Sequence, residues 1–426
     1  MTSIGVTTGY QRGSKLLPPI LEVFVVSHPG DPDGEAVAQM LLERFRGNAY
    51  SGLIGGAVDV YIRSASATGH PGAPPRPLPC VEALPYRVPA PALTAIVLVA
   101  GTELAATLNE PGPWRDYLQA LVDARSTAPQ NVGLFNVRVA PNVFDGTELG
   151  RIVGHIQGIG DGEVGTEEFR NSVCRDLAQG IAQLGHDTPD QVTVFVSHTK
   201  RLSSVEEEQV SDLVALVREV IANTRLKDFF DAQDIQPNAD WKPAIDAAAA
   251  TGALLAVRTD RYSSREWCQR EVLTAKRAGM PVVILDALTD GEERGSFVMD
   301  HVPRTPGRIE WKTWRRDDVV KALGHLVDEC LKRVLWRKQQ QIAAEVDLPV
   351  DIDWWAPHAP EPTTLVDWLD HHPDLPAQRK EPIVILHPDP PLGPDEVDVL
   401  VQIARVADLH DDIEFLTPRG LAARGG

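Results

Sequence analysis

Short, unbroken apolar runs recur along this chain, each followed by a segment of helical periodicity. That alternation constrains the fold more than any other feature. Residues 253–257 and 281–285 are such runs, and 192–196 is one interrupted only by Thr193. A strand apolar at every position has both faces covered, as in a parallel sheet lying between two layers of helix. The intervening residues supply the helices. After 192–196 the chain reads Ser197-His198-Thr199-Lys200, and a helix is expected from Ser204, with Glu207 placed to complete a capping box. Val210, Leu213, Val214, Val217 and Ile221 fall on one face of it. A second strand, near 226–230, leads to Asp231, and a helix begins near Trp241. Another helix is expected from Ser263, with Glu266 as its box partner. A shorter strand at 308–311 precedes a last helix over about 317–335. The fold class is α/β.

The same order of elements occurs earlier. Residues 23–26 form a strand ending in Ser27-His28, and a helix with Val37, Met40, Leu41 and Phe45 on one face follows. Strands at 58–62, 93–99 and 132–137 come next, with helices from Trp114 and over about 166–184. The shared Val-Ser-His at the end of the first strand and the matched tryptophans point to an internal duplication. A third start is visible at 383–386, followed by His387-Pro388, a helix over about 394–404 and a strand at 413–416. The expected organisation is therefore an α/β domain over 1–187, a second over 188–337, a Pro-rich linker over 338–381 and a partial βαβ unit over 382–426. Trp354-Trp355 is read as a packing anchor within the linker.

Charge and cysteine content limit the function. A formal net charge of -19 in 426 residues argues against a nucleic-acid binder, which needs a basic face to displace counterions, and against docking on anionic lipid. The four cysteines, at 80, 174, 268 and 330, form no CxxC pair and no zinc-type cluster, so no metal site is expected. With no apolar leader and no run of about 20 apolar residues, the expected compartment is the cytoplasm. Gly160-Asp161-Gly162-Glu163-Val164-Gly165 satisfies a dinucleotide-binding spacing. No clear strand leads into it, so it reads as a connector.

The segment Tyr262-Ser263-Ser264-Arg265-Glu266-Trp267-Cys268-Gln269-Arg270-Glu271 follows a buried strand and opens a helix. Trp267 and Glu271 are spaced i, i+4 and share a helix face. With Phe195-Val196-Ser197-His198, Phe230-Asp231, Trp241 and the strands at 253–257 and 281–285, this segment resembles the Toll/interleukin-1 receptor (TIR) domain of the bacterial, NAD-cleaving kind. The resemblance covers residues 188–337, about a third of the chain. It implies a flavodoxin-like parallel sheet whose ligands sit beyond the carboxyl ends of the strands. It also implies that Glu271 is catalytic and that Ser197, His198, Asp231 and Trp267 contact the substrate.

The loop at 234–241, with Pro237, Asn238 and Trp241, corresponds to the family's assembly loop. Asn238 stands where Gly is usual, and Asn tolerates the same turn. Arg258 and Thr259 stand where a serine is common. In the first unit Trp114-Arg115-Asp116-Tyr117-Leu118 aligns with the Trp267–Glu271 segment, and Leu118 replaces the carboxylate. That unit is expected to be a degenerate, non-catalytic TIR-like domain.

The resemblance implies an NAD+ glycohydrolase that takes NAD+ as substrate, needs no cofactor, and works as an assembly-activated antiphage effector. Self-association through TIR domains, as a homo-oligomer or filament, is the implied partnership, with no nucleic acid and no membrane. The alternative is a non-catalytic TIR adaptor working through protein contacts alone.

Overall fold

The computed structural model describes the chain outside residues 1–10, 13–14, 17–19, 48–49, 51–57, 71, 83–90, 161, 186–191, 200–203, 230–240, 293, 346–347, 349, 374, 376–381, 408–412 and 425–426. The chain divides into two units. One comprises Met1–Pro189, Val334–Pro349 and Pro418–Gly426; the other comprises Asp190–Arg333 and Val350–Thr417.

The first unit is built on β1 (Leu21–Val26), β2 (Asp59–Arg63), β3 (Leu93–Ala100), β4 (Val132–Arg138) and β5 (Gly158–Ile159). They lie in the order β2-β1-β3-β4-β5, and every pairing is parallel. Both β1 and β3 are buried at every position, as continuous apolar runs require. Each fully buried valine or leucine contributes about 1.5–3 kcal/mol relative to exposure. The helices are α1 (Asp33–Arg46), α2 (Thr102–Thr107), α3 (Pro113–Thr127), α4 (Glu148–Val153) and α5 (Glu167–Leu184). Thr166 caps α5 by accepting from the Phe169 amide, which relieves one of the four orphan donors of a helix start.

One local expectation changes here. A short strand, β5, leads into the Gly160–Gly165 segment, although only two of its residues pair. It is too short to register as an apolar run. The Pro-rich stretch after β2 forms no helix among its described residues. Leu78 from that stretch is fully buried with Trp114 and Tyr117.

The second unit repeats the sheet. The strands β6 (Thr193–His198), β7 (Lys227–Phe229), β8 (Ala253–Arg258), β9 (Val282–Asp286) and β10 (Arg304–Pro306) lie in the order β7-β6-β8-β9-β10, again all parallel. This is the 2-1-3-4-5 order of flavodoxin-like sheets. The helices α6 (Ser204–Ala222), α7 (Trp241–Thr251) and α8 (Glu266–Arg277) link successive strands. The expected fifth strand at 308–311 is displaced. Residues 304–306 pair with β9, while Ile309–Glu310 and Thr313–Trp314 form a small antiparallel hairpin, β11 and β12, outside the sheet. Trp311 at its tip is 92% exposed, which is why an apolar pattern there misleads.

After α9 (Arg316–Ala343), the segment expected as a linker carries structure of its own. Strand β13 (Trp354–Trp355) and helix α10 (Pro362–His371) precede β14 (Ile383–Leu386), α11 (Pro394–Val406) and β15 (Ile413–Leu416), and α12 (Pro418–Arg424) closes the chain. A three-stranded parallel sheet, β13-β14-β15, results. The tryptophan pair is thus a sheet edge, and Trp354 also stacks on Trp368 at 5.2 Å between ring centroids. A lone βαβ piece lacks a core; the added strand and helix supply one, with Ala356, Leu365 and Trp368 packed on Ile383, Ile385, Leu400 and Ile413.

No helix among the described residues is long and apolar enough to cross a membrane.

Candidate active site

The carboxyl ends of β6 and β8 lie side by side in the second sheet, with Ala256 opposite Ser197 and Val257 opposite His198. Helix α8 packs against this edge, and its inward face holds Cys268, Glu271, Val272 and Ala275. The i, i+3, i+4 spacing that buries Cys268 and Val272 also carries Glu271 inward. A carboxylate only 6% exposed results.

Burying a carboxylate is costly unless it is hydrogen-bonded. Here the Ser197 hydroxyl donates to Oε2 of Glu271. The Ser197 oxygen lies 2.6 Å from the Tyr262 hydroxyl. Serine has one proton, and it goes to the carboxylate, so Tyr262 is the donor to Ser197. Proton order therefore runs Tyr262 to Ser197 to Glu271. Burial, reinforced by the negative charge of Cys268 and Glu271 when ionised, pushes the Tyr262 phenol well above its ordinary value of 10.0. It stays protonated and serves as a fixed donor.

A second network lies on the same edge. Arg258, at the end of β8, donates from Nε to Glu292 at 2.9 Å and from Nη1 to Asp286 at 2.8 Å. Its Nη2 also donates to Glu292. Ser263 donates to Glu292 at 2.5 Å. Burial works to raise the Glu292 carboxyl, but the bonds from Arg258 and Ser263 outweigh it and hold the group below its usual range. Asp260 accepts from the amides of Thr289, Asp290 and Gly291 at 2.9, 3.0 and 3.2 Å and from the Thr289 hydroxyl at 2.7 Å. The loop after β9 is thereby tied to the end of β8. Thr199 and Thr259 bond to each other at 2.9 Å.

The sequence-predicted residues fall in different places. Ser197 and Glu271 are brought together, and His198 ends β6 half-buried, its carbonyl 4.0 Å from the Cys268 sulfur. Trp267 stands outside the buried cluster: it is 36% exposed, and the Arg270 guanidinium lies over its ring at 5.4 Å. One residue off the inward stripe is enough to turn it to the rim. Asp231, Pro237 and Asn238 lie outside the described residues. Trp241 is the first residue of α7.

Ser263 does not cap α8. That helix begins at Glu266 after a 3-10 turn over Tyr262–Ser264, and its N-cap Arg265 makes no side-chain cap bond. The Ser263 hydroxyl is instead engaged by Glu292. Tyr262 and Glu292 belong to these networks although the sequence pattern gave neither a role, and Arg258, noted only as standing where a serine is common, joins them. Tyr262 stood in the quoted motif as a turn residue; its complete burial was the missing signal.

The first unit has the same edge without the carboxylate. Leu118 is fully buried on α3, and Trp114 is 2% exposed with its indole N–H on the Gly72 carbonyl at 2.7 Å. Asp31 is spent on α2, accepting from the amides of Glu103 and Leu104 at 2.9 and 3.1 Å. The helix approaches so closely that a Cβ on Gly101 would stand 2.3 Å from the Asp31 carboxyl carbon. Only glycine fits there.

No protein-family model matches this chain, and neither does any curated protein.

Proposed function

We propose that the second unit is a TIR-type domain that hydrolyses the nicotinamide–ribose bond of NAD+, with Glu271 as the catalytic carboxylate. The observation that carries the reading is the placement of Glu271. It is a buried carboxylate, held by a serine hydroxyl, at the carboxyl edge of a 2-1-3-4-5 parallel sheet, where such sheets take ligands.

The chemistry asks little more of the protein. Nicotinamide leaves C1′ of the ribose as a neutral molecule, taking the bonding electron pair, so no general acid is needed. Positive charge grows on C1′ and the ring oxygen. A carboxylate in a water-poor site stabilises that charge, as one of the two carboxylates does in glycoside hydrolysis. Water then attacks C1′ and loses a proton, so NAD+ and water give nicotinamide, ADP-ribose and H+. In the resting arrangement the Ser197 hydroxyl occupies the carboxylate oxygen that a ribose hydroxyl would take. Catalysis requires that exchange, and we assign it to assembly of TIR domains on one another, the switch of an immune effector working in the cytoplasm.

The test is nicotinamide release from NAD+ across a range of protein concentrations. Release per molecule that climbs with concentration supports assembly-linked cleavage. Silence at every concentration, with or without a crowding agent, would leave the adaptor reading in possession.

A further inference from the structure

We propose that the carboxyl edge of the first unit is a binding site for a small organic oxyanion, with Arg63 as its charged anchor and the Tyr117 hydroxyl as its second donor. The proposal is independent of NAD+ cleavage by the second unit.

Position comes first. Arg63 is the last residue of β2, and its carbonyl accepts from the Ser27 amide just past the end of β1. The two chains thus meet at the edge where doubly wound sheets bind ligands. Arg63 and Tyr61 are two apart on one strand and so share a face. The Arg63 guanidinium lies over the Phe24 ring at 5.4 Å and over the Tyr61 ring at 5.5 Å. Stacking of this kind fixes the plane of the guanidinium and leaves its edge free to receive an oxyanion.

Among the described residues the Arg63 side chain makes no hydrogen bond or ion pair, and its Nε is buried without an acceptor. Acidic residues outnumber basic ones in this chain, 60 against 41, so carboxylate partners for an arginine are plentiful. Asp31, just past the end of β1, is committed to α2. A half-buried guanidinium, held flat on two rings with a buried Nε that lacks an acceptor, is a ready anchor for an oxyanion.

Tyr117 supplies the second, separate observation. It is 8% exposed, and its hydroxyl is buried with no hydrogen-bond partner. A phenol in a core is normally satisfied. Burial pushes its ionisation up, and Phe24, the ring beneath the Arg63 guanidinium, belongs to the same buried cluster as Tyr117. The surroundings are firm: Trp114 meets Tyr117 edge-on at 5.7 Å and is bonded to Gly72 in the Pro-rich segment. Within that segment Leu78 is fully buried, and Cys80 packs beside it. His28 is excluded as an anchor. Its Nδ1 accepts from the Gly30 amide at 3.1 Å, and its Nε2 lies 3.3 Å from the Thr107 hydroxyl.

The ligand class is a phosphate ester or carboxylate small enough to reach between β2 and α3, with the oxyanion taking the Arg63 fork and the Tyr117 O–H. Titration calorimetry on the full chain, with inorganic pyrophosphate in one arm and citrate in the other, distinguishes the two sources. Saturable binding of at least one is expected. Arg63→Met, which keeps the contact with both rings, should weaken it by about tenfold or more, as loss of a charge-assisted bond does. Tyr117→Phe removes only an unpaired hydroxyl. It should leave thermal stability unchanged or raised, yet weaken binding by several-fold. Absence of heat in both arms, or equal binding by wild type and Arg63→Met, overturns the proposal. Unchanged binding in a stable Tyr117→Phe overturns the role given to that hydroxyl.

Discussion

At the scale of single residues, Ser197 is the pivot of the proposed catalytic edge, because one hydroxyl satisfies both a carboxylate and a phenol. Ser197→Ala removes a donor to Glu271 and an acceptor for Tyr262. It is expected to cost about 1–3 kcal/mol in chemical denaturation, since both partners are buried. Tyr262→Phe loses one hydrogen bond and should cost about 1 kcal/mol near neutral pH. Its effect reverses at high pH. The folded phenol titrates well above its ordinary value of 10.0, so the contribution is fully present below pH 10 and is lost as pH rises beyond it. Wild type should therefore lose stability on alkaline titration faster than Tyr262→Phe; equal losses would contradict the buried, protonated phenol. Burial of Tyr262 was not legible in its neighbours, which are polar on both sides. Glu271 was legible through the motif that resembles the TIR pattern; the i, i+4 spacing from Trp267 did not carry both residues inward, since Glu271 is 6% exposed and Trp267 36%.

At the scale of elements, the strands could be read from their sequence wherever they carry a run of apolar residues, as at β1, β3, β8 and β9. Reading failed where pairing depends on partners far along the chain. Two residues of β5 and two of β13 join sheets through neighbours that no local pattern announces. The piece after β13 is tied to α8 by an ion pair. Lys276 donates to Glu361 at 2.8 Å and to the Asp300 carbonyl at 2.6 Å, with both charged side chains 3% exposed. Burial pulls the Lys276 pKa down against the pull of Glu361. Breaking one side of such a pair leaves a buried charge uncompensated. Glu361→Gln and Lys276→Met are each expected to cost about 3–5 kcal/mol, and the double variant less than their sum. Additive losses in a double-mutant cycle would refute coupling between the two.

At the scale of the whole molecule, two sheets of the same strand order differ at their carboxyl edges. One holds the buried carboxylate of Glu271, the other the half-buried guanidinium of Arg63, whose side chain has no hydrogen-bond partner among the described residues. Leu118, which the sequence pattern sets against Glu271, is fully buried on α3, while Trp114 is 2% exposed and its counterpart Trp267 is 36% exposed. Acid sensitivity should also be a property of the fold. Burial, with Arg333 and Lys276 nearby, lowers the pKa of His358 from 6.5 to about 3. Its neutral form stabilises the folded chain above pH 6.5, and that contribution is lost as pH falls toward 3. Thermal midpoints followed over this window should drop more steeply in wild type than in His358→Gln; parallel curves would contradict the assignment.

The most direct measurement of the central claim is nicotinamide release from NAD+ by the purified chain beside Glu271→Ala, at a protein concentration where wild type turns over. The account predicts a fall on the order of 10²–10³ or more in the variant, the scale for loss of a group that stabilises transition-state charge. Circular dichroism of the variant should match wild type. A folded Glu271→Ala that releases nicotinamide as fast as wild type would contradict the account.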